Sequence, residues 1–141
     1  HDLWVVTGAI YAPLVYDAID TGSLPVLCPF LANNCVVVTG VAKPYAMTGW
    51  RLGWSVWPKP LYEAARKLAV NAHSCVNASP QWAGIAALDG PQDCVTEMVA
   101  EFDRRRAIVV DGLNALPSVS FIAPQGAFSA CRHLSQPACR P

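Results

Sequence analysis

An α/β fold, built on a mainly parallel sheet flanked by helices, is what the order of apolar patterns in this chain predicts. Three observations carry that reading. Residues 3–7 and 35–39 are short, continuously apolar runs, the pattern of strands covered on both faces of a parallel sheet. Downstream the period changes to a helical one, with Leu61, Ala64, Ala65 and Leu68 at i, i+3, i+4 and i+7. Between these patterns the connection to residues 50–57 is short, which allows one antiparallel strand to return beside residues 35–39.

Taken in order, residues 3–7 form the first strand, since a buried helix would need a longer run. Gly8-Ala9-Ile10-Tyr11 leaves the strand at its carboxyl end, where open α/β sheets place ligand-binding groups. Residues 12–34 read as a loop-rich surface connection broken by Pro13, Pro25, Pro29, Gly22-Ser23 and Asn33-Asn34. Residues 35–39 are the second strand, 40–48 a tight turn, and 50–57 a third strand ended by Pro58. A helix follows from Lys59, with Pro60 in its first turn and the Leu61 to Leu68 stripe as core packing. The next helix opens with Ser79 as N-cap and Pro80 at N1, and runs to Gly90. Residues 92–116 make the longest helix, with Val95, Met98, Val99, Phe102, Val109 and Leu113 on its apolar stripe and Glu101 facing Arg105 at i, i+4. The cluster Arg104-Arg105-Arg106 is offset by Glu97, Glu101, Asp103 and Asp111, so it reads as a solvated helix face. Residues 119–122 are a further strand, and residues 131–141, rich in breakers and without an apolar period, read as a disordered or foreign tail.

Composition narrows the function classes. With 141 residues and 53% hydrophobic content, the chain holds one modest core and is too apolar for disorder. Ten Lys and Arg balance ten Asp and Glu, which leaves no broad basic field for nucleic acid or an anionic membrane. No apolar run is long enough to read as transmembrane. A small-molecule role in the cytoplasm is the default expectation. Cys28, Cys35, Cys75, Cys94, Cys131 and Cys139 include no Cys-x-x-Cys pair and read as reduced thiols, ahead of a disulfide framework or a zinc site. His73, Ser74 and Cys75 are adjacent, point apart and lack a carboxylate orienter, so a structural reading is favoured over a nucleophile. The missing initiator methionine and the strand that opens without a preceding element predict a piece of something longer.

The chemistry concentrates in the turn after the second strand. Lys43 follows Cys35-Val36-Val37-Val38 and precedes Leu52-Gly53-Trp54, so partial desolvation is expected to disfavour its ammonium and leave a nucleophilic amine able to form a Schiff base. Arg51 lies eight positions on, among glycine and threonine, where a planar guanidinium near backbone N–H groups suits a phosphate. A lysine imine beside a phosphate site points to pyridoxal phosphate. By spacing alone, an ordinary turn lysine and a surface arginine remain ahead.

The run Gly40-Val41-Ala42-Lys43-Pro44-Tyr45-Ala46-Met47-Thr48-Gly49-Trp50-Arg51-Leu52-Gly53 resembles the attachment signature of class I pyridoxal-phosphate aminotransferases, in particular the bacterial aspartate aminotransferase-like branch. The resemblance extends from His1 to about Ala130. It implies part of a fold type I large domain over residues 1–116, ending in a long connecting helix, the start of a small domain over 117–130, and an unmatched tail over 131–141. It implies Lys43 as the Schiff-base lysine and Arg51 as the clamp on the cofactor phosphate. Thr7-Gly8-Ala9-Ile10-Tyr11 is similar to the family's Ser-Asp-Glu-Ile-Tyr, which implies that Tyr11 hydrogen-bonds the cofactor's ring oxygen; without the alignment it is a half-buried loop tyrosine.

The same resemblance implies amino acid and 2-oxo acid substrates, and a homodimer in the intact family. Ala42 stands where a serine often precedes the lysine, and Pro124-Gln125-Gly126-Ala127-Phe128 resembles the family's Pro-x-Gly-Ala-Phe-Tyr with Ser129 in place of the last tyrosine. Gly8 is the larger departure. The family has an aspartate there that pairs with the protonated pyridine nitrogen and keeps the ring an electron sink, so a large loss of transamination is expected even where the cofactor binds. The family's glycine-containing phosphate loop and ring-side asparagine are expected before His1, and its substrate-carboxylate arginine after Pro141. Two readings follow: a piece of an aminotransferase acting through Lys43, or a non-catalytic remnant or packing subunit. A partial sheet with exposed apolar edges also predicts poor solubility in isolation.

Overall fold

Parallel pairing of β1 (Val5–Gly8) with β2 (Cys35–Gly40) brings the carboxyl ends of both strands to one side, with Gly8 opposite Val38. The computed structural model describes residues 3–117 and 119–134. Antiparallel to β2 runs β3 (Gly53–Val56), from Val37 opposite Val56 to Gly40 opposite Gly53, giving a mixed sheet in the order β1-β2-β3. The facing glycines have a steric cause: a Cβ on Gly40 would lie 2.8 Å from the Gly53 Cα and from the Leu52 carbonyl oxygen. Only hydrogen fits where these backbones meet.

The sheet falls short of the expected coverage in its outer strands, while Cys35 and Val36 of β2 are buried. In β1 exposure alternates, with Val6 at 70%, and every residue of β3 is exposed. A continuous apolar run therefore did not mean a strand enclosed by this chain's own elements. The third strand also starts later than residue 50, because Thr48–Trp50 coil into a 3-10 turn and Arg51 adopts a left-handed conformation, φ 53°, before the chain extends.

Three helices follow, α2 (Lys59–His73), α3 (Ala78–Asp89) and α4 (Asp93–Asn114); the short α1 (Leu24–Leu27) lies earlier, beside a 3-10 segment at Pro29–Asn34. The α2 stripe is not core packing, since Leu61 and Ala65 are half-buried and Leu68 is 70% exposed. Asn77, not Ser79, caps α3. Its side-chain oxygen accepts the Ser79 N–H at 3.0 Å, satisfying one of the free amides of the first turn. Along α4 the stripe is half-buried except Val109, which is exposed.

Part of the core comes from the stretch that the sequence reading placed as a surface loop. Leu14 and Val41 are completely buried, joined by Tyr16, Cys35, Val36 and Phe121. Residues 14–16 run as an extended strip against residues 125–127: the Ala127 N–H donates to the Leu14 carbonyl at 2.8 Å, the Tyr16 N–H donates to the Gln125 carbonyl at 3.1 Å, and Val15 bridges Gly126. The prolines and glycines on either side hid a three-residue apolar strip too short to announce itself. Beyond it β4 (Val119–Phe121) pairs antiparallel with β5 (Arg132–Leu134), so the stretch expected to be a disordered tail contributes a strand at residues 132–134. Residues 135–141 of that tail lie outside the described residues. Cys28, Cys35, Cys75, Cys94 and Cys131 are free thiols, and among the described residues no helix is long and apolar enough to cross a membrane.

Candidate functional site

The turn that follows β2 is anchored at both ends of its first half. Val41 and Pro44 are buried, the Tyr45 N–H donates to the Val41 carbonyl at 3.2 Å, and the Ala46 N–H donates to the Lys43 carbonyl at 3.3 Å. Ala46 takes a left-handed φ of 52° to complete the reversal. Lys43 is thereby held half-buried on a rigid support rather than on a free loop.

Two aromatic rings face its amine. The Nζ lies 5.9 Å from the centroid of Tyr11 and 5.3 Å from that of Phe128, both within reach of cation–π attraction. The rings meet edge to face, 5.4 Å apart at 73°, and Phe102 backs Phe128 at 5.7 Å. Tyr11 reaches the site because the chain turns directly after β1: the Ala9 N–H extends the sheet to the Val38 carbonyl at 2.8 Å, and the Ala12 N–H closes the turn on the Ala9 carbonyl at 3.1 Å. So Tyr11 and Lys43, far apart in sequence, are brought together by the parallel pairing of β1 and β2.

Arg51 is placed elsewhere on the turn. Exposed, it donates from Nη1 to the Thr48 carbonyl at 2.9 Å. It lines a depression of about 790 Å³ with Gly49, Trp50 and the α2–α3 connection at His73, Cys75 and Asn77. Neither Lys43 nor Tyr11 lines that depression. Gly8, at the carboxyl end of β1, is exposed, and a Cβ built there meets nothing within 4 Å. Asp17, the carboxylate next along the chain, is engaged with Arg106 at 2.8 and 3.0 Å.

Arg106 is the part of this region that sequence reasoning assigned wrongly. Arg104 and Arg105 do form a solvated pair on Glu101, each at 2.7 Å, and their hydrogen bonds pull the Glu101 carboxyl down to about 2. Arg106, by contrast, is only 16% exposed; it also bonds Asp103 at 2.8 Å and the Pro124 carbonyl at 2.9 Å, and stacks 4.5 Å over the Tyr16 ring. Its hydrogen bonds hold the Asp17 carboxyl below its ordinary range, while burial pushes the Tyr16 hydroxyl up. The signal was available: Arg106 falls four residues after Phe102 and three before Val109, on the apolar stripe itself.

Pyridoxal phosphate is a ring with an aldehyde, a phosphate and a basic nitrogen, and these residues fit it in part. A half-buried primary amine between aromatic walls suits the aldehyde end, with the Tyr11 phenol alongside. The Arg51 guanidinium, with one hydrogen bond among the described residues, retains donors for an anion. At Gly8, where the basic nitrogen would call for a carboxylate, there is open space and no side chain to supply one.

A protein built on this mixed sheet with a lysine on the β2–β3 turn belongs to a recognisable class. The aminotransferase class I and II model matches residues 1–139, and the chain belongs to that family. It is 48% identical over 128 residues to an aspartate aminotransferase of Streptomyces avermitilis, covering 91% of this chain and 31% of the relative. To an aspartate aminotransferase of Rhizobium meliloti it is 40% identical over 126 residues, 89% of this chain and 31% of the relative. Its fold superposes on the crystal structure of the aspartate aminotransferase from Rhizobium meliloti with a TM-score of 0.89 at 38% identity, over 94% of this chain and 33% of that one. An aromatic aminotransferase from Pyrococcus horikoshii gives a TM-score of 0.83 at 32% identity, over 90% and 34%. The chain thus spans about a third of the length of the relatives it matches.

Proposed function

We propose that this chain is the lysine-bearing part of an aspartate aminotransferase-like enzyme that moves an amino group between an amino acid and a 2-oxo acid, with pyridoxal phosphate held on Lys43. The observation that carries the reading is the placement of the Lys43 Nζ between the Tyr11 and Phe128 rings, 5.9 and 5.3 Å from their centroids. Lys43 would attach the cofactor, Tyr11 would hydrogen-bond its ring oxygen, and Arg51 would meet its phosphate. Bound pyridoxal phosphate supplies an electron sink for the carbanion left when a substrate's Cα proton departs. The Lys43 Nζ would serve as the base that takes the substrate's Cα proton and returns it. The Tyr11 and Phe128 rings on either side would orient Nζ.

The intact protein is proposed to work as a homodimer in the cytoplasm. Family membership and the similarity to aspartate aminotransferases support the amino-transfer chemistry. Titrating pyridoxal phosphate into the chain tests it: a Lys43-dependent absorbance band, lost in Lys43→Ala, is the expected result, and a band unaffected by that substitution contradicts it.

Gly8 favours a second reading, a non-catalytic remnant or packing subunit that binds the cofactor weakly or not at all. The two readings part on 2-oxo acid formation from aspartate or an aromatic amino acid. The enzyme reading expects slow turnover that rises in Gly8→Asp, because space for the carboxylate is present; the remnant reading expects none in either form.

A further inference from the structure

We propose that Arg106 is a positioning residue for Lys43: by clamping the 14–17 and 124–128 strips to α4, it fixes the Phe128 ring over the lysine amine. The inference rests on the reading of Lys43 as the reactive amine, and it concerns a residue whose own partners are Asp17, Asp103, Pro124 and Tyr16.

A continuous set of contacts links Arg106 to the Phe128 ring. One guanidinium serves three partners from three parts of the chain. Nε meets Asp103 on its own helix at 2.8 Å, Nη1 and Nη2 grip Asp17 at 2.8 and 3.0 Å, and Nη1 also reaches the Pro124 carbonyl at 2.9 Å. The face of the guanidinium covers Tyr16 at 4.5 Å, and the Tyr16 hydroxyl donates to the Ala127 carbonyl. Two main-chain hydrogen bonds, Ala127 to Leu14 and Tyr16 to Gln125, zip the strips together. The residue that follows Ala127 is Phe128, whose ring stands 5.3 Å from the Lys43 Nζ and 5.4 Å from Tyr11. The other side of that ring rests on Phe102, one turn before Arg106 on the same helix.

The clamp therefore ties the wall of the site to α4 at two points, through Phe102 by packing and through Arg106 by hydrogen bonds. Arginine is required by the geometry, because a rigid fork can satisfy a bidentate carboxylate and two further acceptors at once, and a lysine ammonium cannot. Small displacements of such a supporting shell are enough to misplace a reactive group.

Competitive acetylation of the whole chain, with the label at each lysine read by mass spectrometry at one fixed pH, tests the clamp without any cofactor. Lys59 and Lys67 on α2 are exposed and serve as internal references. Expected is a severalfold rise in Lys43 labelling relative to Lys59 and Lys67 in Arg106→Ala and in Asp17→Asn. Arg106→Lys, which keeps a cation over Tyr16 but loses the fork, should remain raised, and Arg105→Ala should leave the ratio as it is. Circular dichroism decides which variants are folded; Asp17→Asn alters a carboxylate that is 57% exposed and carries the test where Arg106→Ala unfolds. An unchanged ratio in the folded variants, or a parallel rise at all three lysines, would overturn the proposal. Cofactor capture is a separate measurement, so its failure would sink the reading of Lys43 while leaving the clamp to be judged on this ratio.

Discussion

At the scale of single residues, the difference between Arg104, Arg105 and Arg106 shows what charge counting sees and what it misses. All three pair with an acidic residue on the helix, yet two lie on a solvated face and the third is enclosed among Tyr16, Asp17 and Pro124. Only the helical phase separates them. A prediction follows from the depressed Asp17 carboxyl, whose largest cause is the Arg106 hydrogen bonds. Its folded value lies below the unfolded one, so its contribution to stability is present above the ordinary carboxylate range and is lost as pH falls through the folded value. In Arg106→Ala the Asp17 carboxyl, followed by carbon-detected NMR, should titrate at a higher pH than in the parent chain; an unmoved titration would refute the pairing. By the same sign, the Glu101 contribution is present above its ordinary value of 4.5 and is lost as pH falls from there toward about 2, and Arg104→Ala with Arg105→Ala should move its titration up toward 4.5.

Among the elements, the helices were legible because proline and glycine punctuate them: Pro60 and Gly90 stand at the expected ends of α2 and α3. The signature around Lys43 was legible as well, and it located the turn that the structure shows. Strand coverage was not, since an apolar run reports what a strand could bury and says nothing about whether a neighbour arrives. Nor was the Leu14-Val15-Tyr16 strip, whose partner lies more than a hundred residues away. The close passage of Gly40 and Gly53 gives an element-scale prediction. Gly40→Ala forces backbone against backbone and should cost on the order of 1–3 kcal/mol in denaturant unfolding. Gly8→Ala, with open space around its Cβ, should stay within about 0.5 kcal/mol of the parent. Equal losses at the two positions would contradict the sheet geometry.

For the molecule as a whole, the sheet leaves Val6, Val38, Trp54 and Val56 exposed, and both outer strands, β1 and β3, have one unpaired side among the described residues. Unpaired edges beside apolar surface promote association, so size-exclusion chromatography of the isolated chain should show concentration-dependent oligomers or aggregates, where a sharp monomer peak at high concentration would count against the exposed sheet. What unites these scales is Lys43, reached from β2, walled by Tyr11 and Phe128, and braced from α4. The most direct measurement is borohydride reduction of the chain mixed with pyridoxal phosphate, followed by peptide mapping. A single phosphopyridoxyl group on the peptide carrying Lys43, with Lys59 and Lys67 unmodified, is the predicted result; no label, or label spread over all three lysines, would contradict it.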